Sequence, residues 1–144
     1  MRVLIADDSV LLREGLALIL TDGGHEVVGG VGDGEALVSE ALRLRPDVVV
    51  ADIRMPPSHT DEGLRATTRI RDQWPGAPIL LLSQYVVAGY LPDLLADGGG
   101  ALGYLLKDRV GDIDAFLSAV ERVARGELVL DPDVVSQVLQ RGRR

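Results

Sequence analysis

Five polar side chains stand at the ends of short apolar runs, and their types together suit phosphate chemistry. They are Asp7, Asp8, Asp52, Ser83 and Lys107. Neighbouring carboxylates repel one another by about 1 kcal/mol at about 4 Å in water, and by several times more at a lower effective dielectric constant. A divalent cation relieves this repulsion, and carboxylate oxygens with room for water and phosphate favour Mg²⁺. The set predicts a carboxylate that takes a phosphoryl group, with the metal and the lysine balancing the charge.

These side chains can meet if the apolar runs are strands of one parallel sheet. The runs span 3–6, 27–31, 48–51, 79–82 and 101–105. Helical patterns alternate with them at 12–20, 37–44, 64–74, 86–96 and 113–123. This alternation predicts an α/β fold, a flavodoxin-like doubly wound sheet of five parallel strands in the order 2-1-3-4-5 with helices on both faces. In that order the carboxyl ends of strands 1, 3, 4 and 5 are neighbours, and ligands bind between strands 1 and 3.

Composition limits the classes of function. The chain has 144 residues, enough for one domain with a sizeable core. Its formal net charge of -7 and its aromatic content of 3% argue against nucleic-acid binding by this segment. The absence of cysteine excludes disulfides and thiolate metal sites. The apolar runs are too short to cross a bilayer, and acids follow the first run too closely for a signal peptide, so we expect a cytoplasmic protein without a membrane partner.

The sequence around these residues resembles one family. The stretches LIADDS at the acid pair, VVVADIRMPP at Asp52, LLLSQY at Ser83 and GYLLKD at Lys107 are similar to the receiver domains of bacterial two-component response regulators. The resemblance covers residues 1–126, and DIRMPP and GYLLKD resemble the NarL/FixJ (LuxR-type) subfamily in particular. It implies a phosphoprotein of a signalling phosphorelay that receives its phosphoryl group from a sensor histidine kinase, and not a turnover enzyme.

The resemblance also implies a metal site. Asp52 would be the phosphoacceptor, and Asp8 and Asp52 would bind Mg²⁺ directly. Asp7 would act largely through water, and the backbone carbonyl of Arg54 would complete the site.

Further implied roles concern the phosphoryl group itself. Lys107 would pair with it, Ser83 would move toward it, and Tyr104 would act as a switch that rotates inward after Ser83 moves. Tyr104 could instead be a half-buried aromatic residue beside the sheet. We expect the side chains of Arg54 and Tyr85 to overhang the pocket and to slow hydrolysis.

Residues 127–144 are interpreted as a linker with a short amphipathic helix. Asp131 is its expected N-cap, followed by Pro132 at the first helical position. The apolar stripe of the helix consists of Val134, Val135, Val138 and Leu139. It has no obvious place on a sheet already covered by helices, so we expect it to pack on another chain or to fray.

The resembled subfamily places a helix-turn-helix DNA-binding domain after such a linker, and that domain is absent from this chain. Contact with DNA and regulation of transcription are therefore expected only through the missing domain. Phosphorylation is expected to favour a homodimer through the helical segments around 86–96 and 113–123.

Two rival functions fit parts of the pattern. A phosphatase of the haloacid-dehalogenase kind needs a second acid two positions after a nucleophile at the first strand's end, where this chain has Ser9 or Val10. A receiver-like interaction module that takes no phosphate would have no need of the full acidic set. His25 and His59 lie in predicted loops without ligand partners at metal spacing, so we expect both to be solvated.

Overall fold

The computed structural model of the protein describes residues 1–84 and 100–141, with side chains as far as residue 136. Within these described residues, one sheet of six parallel strands lies at the centre, in the order β2-β1-β3-β4-β5-β6. The strands are β1 (Arg2–Ala6), β2 (Glu26–Val31), β3 (Val48–Asp52), β4 (Ile79–Ser83), β5 (Leu102–Leu106) and β6 (Leu128–Leu130). The predicted α/β architecture and the order of the first five strands are confirmed.

The sixth strand is a correction, because the sequence predicts five. β6 pairs with β5 so that Leu102 lies opposite Leu128 and Tyr104 opposite Leu130. A strand of three residues is too short to show the alternation by which strands are identified from sequence. β6 is a strand because it forms hydrogen bonds with β5, and the local sequence of residues 128–130 does not reveal that partner.

Helices cover both faces of the sheet. Over the described residues they are α1 (Val10–Asp22), α2 (Gly34–Leu44), α3 (Glu62–Gln73), α4 (Ile113–Ala124) and α5 (Pro132–Arg141), with a 3-10 helix at Lys107–Gly111. Ser9, Asp33 and Asp112 begin α1, α2 and α4, each accepting a hydrogen bond from the backbone N–H three residues later. The helical segment predicted around 86–96 and the side chain of Tyr85 lie outside the described residues.

Each face of the sheet carries its own apolar cluster. Leu37 of α2 and Ile70 of α3 belong to one cluster, together with Tyr104. Leu16 of α1 and Phe116 of α4 belong to the other. The strand residues point alternately into the two clusters, as expected for a sheet buried on both sides.

Trp74 marks the edge of the sheet at which the strands begin. It ends α3, where its backbone N–H donates to the carbonyl of Ile70 at 2.7 Å. The guanidinium of Arg45, which precedes β3, lies 4.8 Å from the centroid of the indole ring. Trp74 is the only tryptophan in the chain.

The C-terminal segment β6–α5 has a place on the sheet, contrary to the sequence-based expectation. Val134 is fully buried and belongs to the same apolar cluster as Tyr104. Val135 is 39% exposed, and the side chains of Val138 and Leu139 lie outside the described ones. Among the helices of residues 1–84 and 100–141, none combines the length and the apolar character needed to cross a membrane.

Candidate functional site

The strand ends bring the predicted polar side chains to one edge of the sheet. Asp7 follows β1, Asp52 and Ser83 are the last residues of β3 and β4, and Lys107 follows β5 directly. Since β1, β3, β4 and β5 are consecutive neighbours and all parallel, their carboxyl ends meet. Asp7, Asp52 and Ser83 are all at least 95% buried, so they line the floor of the site.

Lys107 lies between two carboxylates. Its Nζ is 3.0 Å from Asp52 Oδ2 and 3.3 Å from Asp7 Oδ2. Burial opposes the charge on the amine, but the hydrogen bond and the Coulombic attraction of Asp52, with a contribution from Asp7, raise the pKa of Lys107 above its usual value. The Lys107 amine is therefore a stable positive charge at the carboxyl end of β3.

Asp52 has the opposite balance. Its burial raises the pKa of the carboxyl, and this outweighs the hydrogen bond from Lys107 and the one that Arg54 N–H donates to Asp52 Oδ1 at 3.2 Å. The charge of Asp7 raises it further. Asp52 is thus a carboxylate in a site that has too little positive charge for its acids.

The acidic set fits a divalent cation on two observations. One carboxylate oxygen from each of Asp7, Asp8 and Asp52 lies within 4.8 Å of the others. Asp7 Oδ2 is buried and, among the described residues, accepts no hydrogen bond, its contact with Lys107 being an ion pair at the long distance of 3.3 Å. Buried carboxylate oxygens without a hydrogen-bond donor are costly unless a cation serves them. Three oxygen donors of this kind match the ligand preference of Mg²⁺.

The backbone around Asp7 is fixed by contacts of its own. Ser9 N–H donates to Asp7 Oδ1 at 2.9 Å, and Asp7 N–H donates to the carbonyl of Val31 at 3.0 Å. The guanidinium of Arg13 donates to the Asp7 carbonyl at 2.5 Å. These bonds leave Oδ2 directed toward Lys107.

His59 has a contact that the sequence does not predict. Its side chain is 54% exposed, as expected of a solvated loop residue, but its Nε2 lies 2.9 Å from Asp8 Oδ2. The residue has a left-handed backbone with φ of 54°, and its N–H donates to the carbonyl of Met55 at 2.9 Å, so the loop after β3 directs it at the acidic set. Sequence distance hides this contact, since the two residues are 51 positions apart.

His25, by contrast, is not the solvated residue that the sequence predicts. Its side chain is 7% exposed, and its Nε2 lies 3.6 Å from Glu121 Oε1 of α4. It lies in the turn between α1 and β2, where β2 begins, whereas the acidic set lies where the strands end.

Gly63 is a site residue that sequence reasoning missed. A Cβ at this position would lie 2.0 Å from the backbone oxygen of Asp52 and 2.9 Å from the Cα of Ile53. Its N–H donates to the carbonyl of Ile53 at 2.8 Å, which joins the start of α3 to the end of β3. Only glycine permits this approach. A glycine in the first turn of a helical pattern is the signal that could have indicated it.

Glu62 holds the loop between β3 and α3 and was also missed. Its carboxylate accepts hydrogen bonds from Ser58 N–H at 2.7 Å, from Thr60 N–H at 3.0 Å and from the Ser58 hydroxyl. Desolvation favours the neutral acid, but these donors prevail and lower the pKa of Glu62 to about 2. The loop that carries His59 is thereby built on a buried charge.

Tyr104 and Arg54 are the remaining predicted site residues that the structure describes. Tyr104 is fully buried in β5, so it is not half exposed as the simpler interpretation assumed. Arg54 follows Asp52 with an exposed side chain, and its backbone N–H approaches Asp52 Oδ1. Tyr85, whose side chain was also expected to overhang the site, lies outside the described residues.

Comparison with known proteins gives one family. A family model for the response regulator receiver domain matches residues 3–121. The oxygen regulatory protein NreC of Staphylococcus carnosus is 34% identical over 140 residues, which make up 96% of this chain and 62% of NreC. The transcriptional regulatory protein LnrK of Bacillus subtilis is 33% identical over 144 residues, 99% of this chain and 62% of LnrK. The chain thus spans about three fifths of the length of these relatives.

Solved structures agree in fold along nearly the whole chain. A two-component response regulator of the LuxR family from Aurantimonas superposes with a TM-score of 0.81 at 26% identity, covering 99% of this chain and 98% of that one. The signal receiver domain of the putative response regulator NarL from Mycobacterium tuberculosis gives a TM-score of 0.67 at 32% identity, covering 83% of this chain and 95% of that one.

Proposed function

The chain belongs to the response regulator receiver domain family, and from this premise we propose that it accepts a phosphoryl group on Asp52 in a magnesium-dependent reaction. The NarL/FixJ (LuxR-type) resemblance inferred from the motifs is confirmed by the relatives and the solved structures. The proposal extends from the family to particular residues of this chain.

One observation carries the proposal. The carboxylate of Asp52 lies 3.0 Å from the Lys107 amine, in the same crevice as the acids Asp7 and Asp8. An acid cluster with a single lysine suits a nucleophile that must face a negatively charged phosphoryl donor.

In the proposed transfer, a carboxylate oxygen of Asp52 attacks the phosphorus atom. The new P–O bond forms as the bond from phosphorus to the donor breaks, and the leaving group carries away that electron pair. Lys107 is already positioned by its two ion pairs, and its ammonium group shifts its contact from the carboxylate to the phosphoryl oxygens. Ser83 supplies a hydroxyl from the neighbouring strand end.

Asp8 and Asp52, with Asp7 through water and the carbonyl of Arg54, would hold Mg²⁺. When bound, the metal would neutralise charge on the transferring oxygens. The buried oxygen Oδ2 of Asp7, which has an ion pair with Lys107 but accepts no hydrogen bond among the described residues, supports this assignment.

We propose a sensor histidine kinase as the donor, because the family is that of two-component regulators. Regulation of transcription would require a DNA-binding domain, which the described residues 1–84 and 100–141 do not form. We also propose that phosphorylation favours a homodimer. Sedimentation with beryllofluoride, a mimic of the phosphoryl group, should then show a larger dimer fraction than without it, and equal fractions would reject this part.

The direct test is incubation with acetyl phosphate and Mg²⁺, followed by mass spectrometry of the intact chain and of its peptides. We expect one added phosphoryl group on Asp52, none in Asp52→Asn, and normal labelling in Asp72→Asn, an exposed acid of α3. Phosphate on another residue, or none on the parent chain, would refute the assignment. Failure to bind beryllofluoride would favour the phosphorylation-independent interaction module instead.

A further inference from the structure

We propose that Asp131 is a positioning residue for Lys107, and that through it the C-terminal segment β6–α5 becomes part of the phosphorylation site. The inference rests on the proposed function and adds to it a residue that lies beyond the family match at 3–121. It is carried by the contacts of a single buried carboxylate.

The Asp131 carboxylate is fully buried and accepts four hydrogen bonds. Its Oδ2 accepts from Leu106 N–H at 3.1 Å and from Arg109 Nε at 2.9 Å. Its Oδ1 accepts from Arg109 Nη2 at 3.1 Å and from Asp133 N–H at 3.0 Å. Only the last of these is the N-cap bond that the sequence predicts.

The other three bonds enclose Lys107. Leu106, which precedes the lysine, bonds through its backbone N–H, and Arg109, two residues after it, bonds through its guanidinium, so one carboxylate contacts residues on both sides of Lys107. The Asp131 backbone joins the same strand, since its N–H donates to the carbonyl of Tyr104 at 2.8 Å. The peptide that carries Lys107 is therefore fixed from the C-terminal segment and not only from β4.

Fixing this peptide matters because the lysine side chain is long. Its amine reaches Asp52 and Asp7 at the end of four flexible carbons, and a small displacement of the backbone would carry it out of range. Reacting groups must be held within a fraction of an ångström for efficient transfer.

Burial distinguishes Asp131 from an ordinary helix cap. A cap at a surface helix needs no desolvation, whereas an isolated buried carboxylate is unfavourable without charged partners. Here desolvation disfavours the charge, but the bonds from Arg109, Asp133 and Leu106 lower the pKa of Asp131 below its usual value. The carboxylate is thus a stable charge beside the Lys107 peptide.

A reciprocal effect follows from linkage. If docking of β6–α5 helps to position Lys107 for the phosphoryl group, then a phosphoryl group at Asp52 must strengthen that docking by the same factor. Val134, packed in the cluster that contains Tyr104, would share in this response.

The test compares beryllofluoride affinity in the presence of Mg²⁺ among variants of the whole chain. Asp131→Asn keeps the size of the side chain and removes its charge, and Arg109→Gln removes the partner. Asp133→Asn is the matched control, because its carboxylate also contacts Arg109, at 3.2 Å, but is 61% exposed. One further pair of proteins carries Lys107→Met with and without Asp131→Asn.

We expect Asp131→Asn and Arg109→Gln to weaken beryllofluoride binding by about tenfold, with Mg²⁺ affinity unchanged and Asp133→Asn close to the parent. In the Lys107→Met background, Asp131→Asn should have no further effect. Unchanged binding in both variants, a parallel loss of Mg²⁺ affinity, or an equal loss without Lys107 would overturn the inference.

Circular dichroism checks that each variant is folded, and if Asp131→Asn is not, Arg109→Gln decides, since that side chain is partly exposed. A parent chain that binds no beryllofluoride would reject the proposed function itself. A parent that binds normally, with Asp131→Asn equal to it, would reject the positioning role alone.

Discussion

Asp52 is a carboxyl group whose charge is less favourable in the folded protein than in the unfolded chain. Burial, with the nearby charge of Asp7, raises its pKa even though Lys107 is in contact with it. A group whose folded pKa lies above its unfolded value contributes its full stability below the unfolded pKa and loses it as the pH rises through the folded one. At neutral pH the ionised Asp52 therefore lowers the free energy of unfolding.

We predict that Asp52→Asn stabilises the metal-free protein at neutral pH, on the order of 1 kcal/mol, the repulsion of two charges at close range in water. The gain should shrink as the pH falls through the raised pKa of the parent carboxyl. Urea unfolding in EDTA at several pH values measures this, with Asp72→Asn as the control. A variant that is less stable than the parent at neutral pH would contradict the prediction.

Glu62 shows the opposite sign. Its pKa falls from 4.5 to about 2, because the hydrogen bonds from Ser58 and Thr60 outweigh its desolvation. The stability that it contributes is present above its unfolded pKa and is lost as the pH falls toward about 2. Glu62→Gln should lower the free energy of unfolding at neutral pH, on the order of 1 kcal/mol.

The same substitution should flatten the acid side of the stability profile, while Glu14→Gln, at an exposed position of α1, should not. Unfolding by urea between neutral and acid pH would separate these variants. Identical slopes for Glu62→Gln and the parent would show that the loop does not depend on this charge.

At the scale of elements, the site depends on how closely α3 approaches β3. Gly63→Ala would place a methyl group 2.0 Å from the Asp52 carbonyl oxygen, so either the helix or the strand end must move. We predict a loss of about 3 kcal/mol, in the range of overpacked positions, together with weaker beryllofluoride binding.

The control for this change is Gly15→Ala in α1, where a Cβ meets nothing within 4 Å. It should stabilise the protein by about 0.5–1 kcal/mol, because alanine favours the helix. Thermal unfolding compares the two variants directly. Equal melting temperatures for them would mean that the contact at Gly63 relaxes freely.

The elements also show what local sequence predicts well. The apolar runs 48–51 and 79–82, each followed directly by a polar residue, indicate the strand and its functional end together, so the sequence predicts the positions of Asp52 and Ser83. The strand β6 and the burial of Asp131 could not be predicted in this way. They depend on pairing with β5 and on the hydrogen bonds from Arg109, both over 20 residues away along the chain. The local sequence around a residue does not indicate such long-range pairings.

For the whole molecule, the acidic set of Asp7, Asp8 and Asp52 implies that Mg²⁺ changes the stability of the fold. A ligand that binds only the native state stabilises it by mass action, and Mg²⁺ would also relieve the repulsion among the three carboxylates. We predict that the melting temperature rises by a few degrees, roughly 5 °C, between EDTA and excess Mg²⁺.

Asp8→Asn should remove most of that rise, since Asp8 is the more exposed member of the acidic set and its loss spares the buried floor. Asp72→Asn should keep the full rise. A shift of the same size in Asp8→Asn, or none in the parent chain, would count against the metal site.

The position of the single tryptophan has an optical consequence. Trp74 ends the twelve-residue helix α3, whose first turn lies against Asp52, so the indole is about 18 Å from the phosphorylation edge along that helix. Its ring is stacked beneath Arg45, in a setting that changes when the molecule unfolds. Its fluorescence will therefore follow global unfolding, so the stability of every variant of the acidic set can be measured from the emission of this one residue without an added label.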